Sequence, residues 1–501
     1  MPARLVLFVA AAILFCGLHN TTFAQTFTIG GKVTEPPSVT GTPIPNVSIT
    51  MTLNGSTQMV TQTDATGSFS FANIAAGSNY QVVATKTNFT FNPSSHGGTN
   101  LSTNQTLFFT GTSSGASSTV QFASANINAG EATGSLAVTI NRSGDTTAAA
   151  TVDYQTSDTA GSNGCSVLNG AASSRCDYIT TLGSLRFAAG ETSKTISIPI
   201  IDDARAEGAE TFTVTLSAPI STSLGSPSIT TVTIADNDAS NGTTNPIDDA
   251  TFFVRQHYID FLNREPDASG LAFWTNELAS CGSNTSCLDV KRVNVSAAFF
   301  LSIEFQETGY LVYRIYKSGF GNLSGAPVPV GFTNFLRDTQ RIGQGVQVGI
   351  GNWEAQLEAN KQAFVLAFVQ RGDFQTAFPN SLTAAQFVDQ LNTNAGGVLS
   401  AQERSNLIAG LTTPSDLTQR ANVLRAVAED QTLKAAELNK AFVLMQYFGY
   451  LRRDPNAAPD ADFGGWQFWL NKLNQFNGDF TQAEMVKAFI VSAEYRQRFA
   501  P

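Results

Sequence analysis

Charged side chains are scarce in this 501-residue sequence, and cysteine and histidine are rarer still. Asp, Glu, Lys and Arg together make up 14% of the chain, which has 5 Cys and 3 His residues. The 29 Lys and Arg residues are outnumbered by 39 Asp and Glu residues, so the net charge is −10. Nucleic acids and anionic membrane surfaces require a basic face, which this balance does not supply. The acidic excess instead favours a protein that recruits cations.

Long hydrophobic runs are also missing from the chain after residue 24. No stretch of that part reaches the 18 apolar residues typical of a membrane-crossing helix. At the N-terminus, Arg4 precedes an apolar run from Leu5 to Leu18, and Thr22-Phe23-Ala24 follows as a small-residue cleavage site. This pattern predicts a removable signal peptide at residues 1–24 and a secreted mature chain without a transmembrane segment. A lipoprotein signal that uses Cys16 is the alternative.

The four remaining cysteines form two close pairs, Cys165 with Cys176 and Cys281 with Cys287. An even number of cysteines in an exported chain predicts two disulfides. Free thiols or metal ligands are the alternative, although no histidine stands beside either pair.

Catalytic motifs are few. The mature chain has His96 and His257, and neither stands beside a nucleophile motif. The segment Gly111-Thr112-Ser113-Ser114-Gly115 formally matches a nucleophile elbow, but it lies in a linker with no following helix. Paired carboxylates could hydrolyse glycosides, yet the acids of this chain gather where an ion site is equally plausible. We therefore expect a protein that is not an enzyme.

Three regimes of hydrophobic patterning follow the signal. Residues 26–112 alternate apolar and polar side chains between turn residues, as in Ser68-Phe69-Ser70-Phe71. Residues 116–240 contain seven short strand candidates, from Thr119–Phe122 to Ser228–Ile234. From residue 248 onwards the period changes to that of amphipathic helices. The predicted fold class is therefore two all-β sandwiches, the second immunoglobulin-like, followed by an all-α domain.

The helical part contains internal repeats. The segment from Tyr258 to Trp274 matches the segment from Tyr447 to Trp469, since each carries an Arg, a Pro, a Gly and a Phe-Trp pair. A Ser-x-Glu motif follows each, at Ser302/Glu304 and Ser492/Glu494. These matches predict a first unit at residues 248–320, a last unit at 436–501, and degraded units at 321–435 between them.

Acidic residues recur in the middle segment near the predicted strand ends. Residues 119–239 contain 12 Asp and Glu residues against 5 Lys and Arg residues. The candidate ligands are Glu131 in a turn before a strand, Asp177 at the start of a strand, Asp202 and Asp203 directly after the strand that ends at Ile201, Glu207 and Glu210 beyond them, and Asp236 and Asp238 after the last strand. Strand ends can converge at one edge of a sandwich, where so many carboxylates would repel one another. Calcium relieves such repulsion because it binds about 6–8 oxygen ligands, whereas separate solvated loop acids are the alternative.

These residues carry a resemblance to the Calx-beta domain, a calcium-sensing module of sodium–calcium exchangers and of extracellular proteins. It rests on Glu131, Cys176-Asp177-Tyr178, Ile201-Asp202-Asp203, Glu207, Glu210 and the closing segment Thr231 to Asp238. The resemblance implies that Ca²⁺ is held by Glu131, Asp177, Asp202, Asp203, Glu207, Glu210, Asp236 and Asp238. Ala204 and Asn237 depart from the acidic pattern of the family, which leaves open the number of ions and their affinity.

The flanking segments resemble two further families. Residues 26–112, through Pro45-Asn46-Val47 and the stretch from Thr63 to Phe71, resemble the carboxypeptidase regulatory-like module, a transthyretin-like sandwich without catalysis. In this segment Asp64 and Gly67 are expected to form a hairpin turn. The helical repeats resemble DUF4214, a domain of unknown function found in exported and surface proteins.

Two features of the helical half have alternative interpretations. Asp454, Asn456, Asp460 and Asp462 alternate like the ligands of a metal loop, although a solvated loop explains them as well. The aromatic residues could stack on sugars or pack in the core; they are Phe273, Trp274, Trp466, Phe468 and Trp469.

The sequence thus predicts a secreted or cell-surface calcium-binding adhesion or interaction protein. Calcium would rigidify the middle sandwich, and the helical repeats would offer a surface to extracellular matrix, a surface polymer or another surface protein. One alternative is an extracellular carbohydrate-binding accessory protein, and another is a hydrolase sited in the helical half.

Overall fold

The computed structural model describes residues 25–36, 41–86, 89–113, 118–158, 160, 165, 170–239 and 244–500. The predicted signal peptide at residues 1–24 lies outside them. The chain divides into two compact units, Met1–Ser117 and Ser118–Pro501.

The first unit is a β-sandwich. Its strands are β1 (Thr26–Thr34), β2 (Ser48–Leu53), β3 (Thr57–Gln62), β4 (Ser68–Ala75), β5 (Tyr80–Thr85), β6 (Phe89–Asn92), β7 (His96–Gly98) and β8 (Gln105–Ser113). Among the described residues they form two sheets, in the orders β4-β1-β8-β6 and β3-β2-β5-β7. Alternate side chains such as Ile29, Ile49 and Phe109 are fully buried between the sheets, as period-two patterning predicts.

The expected hairpin at Asp64 and Gly67 is wrong in one respect. The turn itself forms, because Asp64 Oδ1 accepts hydrogen bonds from the backbone amides of Thr66 and Ser68 at 2.8 and 2.9 Å. It joins β3 to β4, however, which belong to different sheets. The turn is therefore a crossover between the two layers, a pairing that the local turn pattern does not reveal.

The second unit begins with another sandwich. Its strands are β9 (Thr119–Phe122), β10 (Asn126–Gly130), β11 (Ser135–Ser143), β12 (Ala150–Thr156), β13 (Leu182–Phe187), β14 (Ser193–Pro199), β15 (Glu210–Ile220), β16 (Ser223–Leu224) and β17 (Ile229–Ala235). Within the described residues the sheet orders are β10-β17-β15-β12-β13 and β14-β11-β9-β16. Seven of these strands match the seven candidates, whereas β10 and β16 were not predicted.

Both predicted disulfides are present. Cys165 is bonded to Cys176, and Cys281 to Cys287, with Cα–Cα distances of 5.7 and 5.6 Å. The first bond matters for the acidic edge of the sandwich, because Cys176 is buried and directly precedes Asp177.

The rest of the second unit is helical. Its helices are α1 (Ala250–Leu262), α2 (Ala268–Ala279), α3 (Thr285–Leu301), α4 (Ile303–Glu307), α5 (Gly309–Phe320), α6 (Phe332–Gly343), α7 (Trp353–Val369), α8 (Gly372–Ala377), α9 (Ala384–Ala395), α10 (Ala401–Gly410), α11 (Leu417–Ala428), α12 (Gln431–Gln446), α13 (Gly464–Gln475), α14 (Met485–Ile490) and α15 (Ala493–Arg496). A π-helical turn (Tyr447–Leu451) extends α12. Among the described residues, no helix combines the length and the apolar character needed to cross a membrane.

The sandwich has its own hydrophobic core, but two of its loop residues belong to the core of the helices. Ile179 and Ile201, from loops of the sandwich, are fully buried among the helical side chains. Gln340 of α6 fixes the contact, since its amide donates to the carbonyl of Thr180 at 2.8 Å and accepts from the amide of Leu182 at 3.0 Å. The middle sandwich is therefore integrated with the helical domain.

The repeated helical motif has a packing explanation. Gly270 and Gly465 occupy equivalent positions, and a Cβ atom at either would overlap the hydroxyl of Tyr258 or Tyr447, respectively. The serine of each Ser-x-Glu motif caps a short helix, and its glutamate forms a bidentate pair with the motif's arginine. The shared residues thus build the same local fold twice.

Candidate metal centre

Strand pairing brings the acidic residues to one edge of the middle sandwich. Strand β10 runs parallel to β17, with Gly130 opposite Ala235, so Glu131 and Asp236 leave the sheet side by side. Strand β15 runs antiparallel to β17, and its first residue, Glu210, lies opposite Ile234. Parallel strands end at the same edge where an antiparallel neighbour begins. Three segments that are distant in sequence therefore converge.

Two further loops complete this edge. Asp177 was expected at the start of a strand, but it lies in a turn. Of that expected strand, Tyr178 forms an isolated β-bridge with Ile200. The amide of Ile201 donates to the carbonyl of Asp177 at 2.9 Å. Asp202 and Asp203 follow, so the bridge places their loop beside Asp177.

Six of the eight predicted ligands form two compact groups. In each group, one carboxylate oxygen per residue lies within 4.8 Å of the others. The first group is Glu131, Asp203 and Asp238; the second is Asp177, Glu207 and Glu210. Glu131, Asp177, Asp203 and Glu210 are buried, so water does not screen most of these charges from one another.

The other two predicted residues hold the loops in place. Asp236 Oδ2 accepts hydrogen bonds from the amides of Glu207 and Gly208 at 2.8 and 2.7 Å, and its Oδ1 accepts from the amide of Asp238 at 2.7 Å. Asp202 Oδ1 accepts from the side-chain amide of Asn237 at 3.0 Å. Asn237, which interrupts the acidic run, therefore contributes to the architecture of the edge.

The donor set fits a hard divalent cation. Four carboxylate oxygens are buried and have no hydrogen-bond partner among the described residues: Glu131 Oε2, Asp177 Oδ1, Asp203 Oδ2 and Asp238 Oδ2. A buried acceptor without a partner is costly, and a buried charge more so. Oxygen-only ligands from several carboxylates are what Ca²⁺ prefers. Both three-carboxylate groups contain such orphan oxygens.

The same crowding makes the carboxylates hold their protons. Burial is the largest cause that raises the pKa of Glu131 and Glu207 to about 8 and of Asp203 and Glu210 to about 9. Burial also raises the pKa of Asp177. Neighbouring carboxylates add to the effect, as Asp238 does at Glu131.

These shifts predict proton release when calcium binds. The contribution of these raised pKa values to the stability of the calcium-free fold is greatest below about pH 4, where the groups are protonated in the unfolded chain as well. This stabilising contribution is lost as the pH rises through the folded-state pKa values of about 8 and 9. A cation requires the ionised form. Calorimetric titration of the chain at pH 7 in buffers of different ionisation enthalpy should report released protons, and fewer at pH 10. Identical heats in all buffers would contradict the prediction.

The carboxylates of the candidate metal loop in the helical half, Asp454, Asp460 and Asp462, are each bonded to a different part of the protein. Asp454 Oδ1 accepts from the amide of Phe332 at 2.7 Å, Asp460 pairs with Arg453 at 2.9 Å, and Asp462 Oδ1 accepts from the amide of Gly464 at 2.8 Å. Because these carboxylates have separate partners, the alternative of a loop without a metal is favoured.

The aromatic residues divide between core and surface. Trp466 is buried, Trp274 and Trp469 are half-buried, and the equivalent residues Phe273 and Phe468 are 57% and 58% exposed. The core interpretation therefore holds for Trp466, while sugar stacking by the exposed rings stays a prediction.

Sequence reasoning missed the contact between the acidic edge and the C-terminus. The amide of Ala204 donates to the carbonyl of Phe499 at 2.9 Å, and the guanidinium of Arg205 donates to the carbonyl of Ala500 at 2.9 Å. Arg175, two residues before Asp177, pairs with Glu494 at 3.3 Å. Separations of about 300 residues leave no local signal of this contact.

Three domain-family models match successive parts of the chain. They are the carboxypeptidase regulatory-like domain at residues 28–107, the Calx-beta domain at 115–238 and the domain of unknown function DUF4214 at 238–308. They agree with the resemblances drawn from the sequence.

Similar proteins overlap the Calx-beta segment. Sodium/calcium exchanger 1 of Bos taurus is 38% identical over 124 residues, which are 21% of this chain and 12% of the exchanger. The crystal structure of the apo-form Calx CBD1 domain is 30% identical and covers 24% of this chain and 98% of that one, with a TM-score of 0.22. The calcium binding domain CBD12 of CALX1.1 is 30% identical over 24% of this chain and 47% of its own, also with a TM-score of 0.22. The chain thus combines a carboxypeptidase regulatory-like domain, a Calx-beta domain and a helical region that begins with a DUF4214 domain.

Proposed function

We propose that this protein is a calcium-binding interaction protein of the extracellular space, with a role in binding and not in catalysis. The observation that carries the proposal is the pair of three-carboxylate groups with buried, unpartnered oxygens at one edge of the Calx-beta domain. The match to the Calx-beta model and the similarity to a sodium/calcium exchanger support calcium as the ion. The two disulfides support an oxidising compartment.

Calcium would stiffen the edge that also holds the last helical unit. The loop after Asp203 contacts Phe499 and Ala500, while Arg498 Nε donates to the carbonyl of Arg175 at 2.8 Å. The acidic residues and the residues that contact the C-terminus lie within the same short loops. An ion that fixes the carboxylates therefore also limits the motion of the contacts with the last helical unit. The helical repeats would then present their surface to an extracellular partner in a fixed orientation.

Calorimetric titration of the full chain with CaCl₂, after treatment with a chelator, tests the calcium site. The full chain is appropriate because Ile179 and Ile201 of the sandwich loops are buried in the core of the helices. We expect saturable heat for wild type and loss of that heat in Asp177→Asn/Asp203→Asn, which removes one ligand from each group. The exposed Asp153→Asn, on β12 of the same domain, is the matched control and should behave as wild type. Absence of heat with wild type would refute the proposal.

A further inference from the structure

Two adjoining cavities form one groove where the Calx-beta domain meets the helices. The larger, of about 410 Å³, lies between the β13–β14 region and the end of α6. The smaller, of about 230 Å³, lies between α1, α2 and the α3–α4 junction. Leu262 and Arg264 line both cavities, and the consecutive residues Gln347 and Val348 line one each. The groove is therefore elongated, with a volume in the range of about 300–1,000 Å³ typical of ligand sites.

Neutral hydrogen-bonding side chains belong to eight of the seventeen residues that line the larger cavity. Asn263, Gln344 and Gln347 contribute amides, Gln340 an amide that also bonds to the backbone of the sandwich, and Tyr154, Thr181, Thr195 and Ser197 contribute hydroxyl groups. Each of these groups can donate and accept hydrogen bonds. Such a wall is suited to a ligand that has many hydroxyl groups and no net charge.

The charged residues that line the two cavities are one cation, Arg264, and two anions that lie beside it, Glu304 and Asp267. Arg264 Nε and Nη2 donate to the two carboxylate oxygens of Glu304 at 2.7 and 2.8 Å, and the guanidinium lies 5.0 Å from the centroid of the Tyr258 ring. Arg264 is the only cationic side chain among the lining residues of the two cavities. A polyanion would find little attraction here, and the bidentate pair provides a rigid, preorganised wall.

Trp274 contributes an aromatic ring to the wall of the smaller cavity. Trp274 lines the smaller cavity and is half-buried, with its ring centroid 4.8 Å from that of Phe273 and 6.2 Å from that of Phe299. These contacts hold the indole in place while part of its surface stays accessible. The C–H face of a pyranose ring is apolar and packs on such a surface, while its hydroxyl groups remain free for hydrogen bonds.

The last helical unit provides a closed counterpart of this site. Arg453 forms the equivalent bidentate pair with Glu494, but it also donates to Asp460 Oδ2 at 2.9 Å and to the carbonyl of Ala457 at 3.0 Å. Both contacts come from the longer loop between Pro455 and Gly464. The Arg453 side chain is 4% exposed, against 18% for Arg264. Trp469 therefore keeps the packing of Trp274 beside an arginine that is almost completely buried.

We propose that the open groove binds a strand of neutral polysaccharide. The amides and hydroxyl groups of the larger cavity bond to sugar hydroxyls, and Trp274 packs against one ring in the smaller cavity. This inference names the partner of the proposed interaction protein and rests on that function, but it places the partner's site away from the carboxylates of the calcium edge.

Affinity electrophoresis of the full chain tests the proposal. Native gels would contain dextran, arabinoxylan, galactomannan or a soluble β-1,3-glucan, with polygalacturonate and gelatin as anionic and polypeptide probes, each with calcium and with a chelator. We expect retardation by at least one neutral polymer and about a tenfold weaker affinity for Trp274→Ala. Gln344→Ala, at an exposed position of the wall, should weaken retention as well.

Trp469→Ala is the matched control, because it removes the equivalent indole from the closed unit. It should retain the wild-type affinity, and thermal unfolding confirms that both tryptophan variants fold. Equal losses in the two variants, retention by gelatin or polygalacturonate alone, or no retention by any neutral polymer would overturn the proposal. Retention in chelator together with an absence of calcium heat would sustain the groove and reject the calcium site, so the two failures are distinguishable.

Discussion

Neutralising Glu131 and Asp203 together is expected to stabilise the calcium-free protein and to abolish its stabilisation by calcium. Both side chains are buried, belong to the same three-carboxylate group and have an oxygen without a partner among the described residues. The variant Glu131→Gln/Asp203→Asn keeps their size and removes two groups whose raised pKa values cost stability at pH 8, because the unfolded chain ionises them and the calcium-free fold does not readily do so. At pH 8, unfolding in chelator should therefore occur at a higher temperature than for wild type.

Calcium should reverse this order of stability. An ion that binds only the folded state stabilises wild type by about 2.7 kcal/mol when its concentration is 100 times the dissociation constant. The variant has lost two of the three carboxylates of its group and should gain little. Differential scanning calorimetry with and without calcium measures both effects, and Asp153→Asn again serves as control. A variant that is less stable in chelator yet still responds fully to calcium would contradict this account.

Much of the acidic edge could be predicted because its residues stand beside strands with clear alternation. Glu210 begins β15, and Asp236 and Asp238 follow β17, in which buried and more exposed positions alternate. The prediction of convergence was sound for this reason: the ends of the strands of a sandwich meet at common edges.

The geometry within that edge depended on features that the sequence conceals. Strand β10 contains two Asn residues and a Gly, which are depleted in strands, so it was overlooked. Yet its parallel pairing with β17 is what places Glu131 near Asp238. Asp177 was assigned to a strand, whereas it lies in a turn beside a disulfide-bonded cysteine. Local pattern identifies elements, but long-range pairing decides which of them are neighbours.

The groove and the C-terminal contacts were beyond sequence reasoning for a related physical cause. Thr195 and Ser197 are ordinary outward-facing residues of a strand, and Gln344 lies just after a helix. They acquire a shared role only because Ile179 and Ile201 bury themselves among the helices and bring the two surfaces together. No periodicity or spacing encodes an interface between a sheet and helices from distant parts of the sequence.

Asp260→Ala is expected to be among the most destabilising single substitutions in the helical domain. Asp260 Oδ2 and Oδ1 accept hydrogen bonds from Arg498 at 2.9 and 3.1 Å, and both side chains are 1% exposed. Arg498 also donates to the carbonyl of Tyr450 at 2.9 Å and to that of Arg175. The pair thus joins the first helical unit, the last unit and the Calx-beta domain.

Removing one partner of a buried ion pair leaves an uncompensated charge, which costs about 3–5 kcal/mol. Urea denaturation of Asp260→Ala should show a loss of this size, while Asp389→Ala, which breaks the exposed pair with Arg404, should change little. Asp260→Ala/Arg498→Met removes the charge of Arg498 but leaves Arg452, whose buried guanidinium also lies 3.9 Å from Asp260, so it should recover only part of the loss. If the double variant is as unstable as the single one, the stability depends on the hydrogen bonds of Arg498 to the backbone carbonyls and not on its pairing with Asp260.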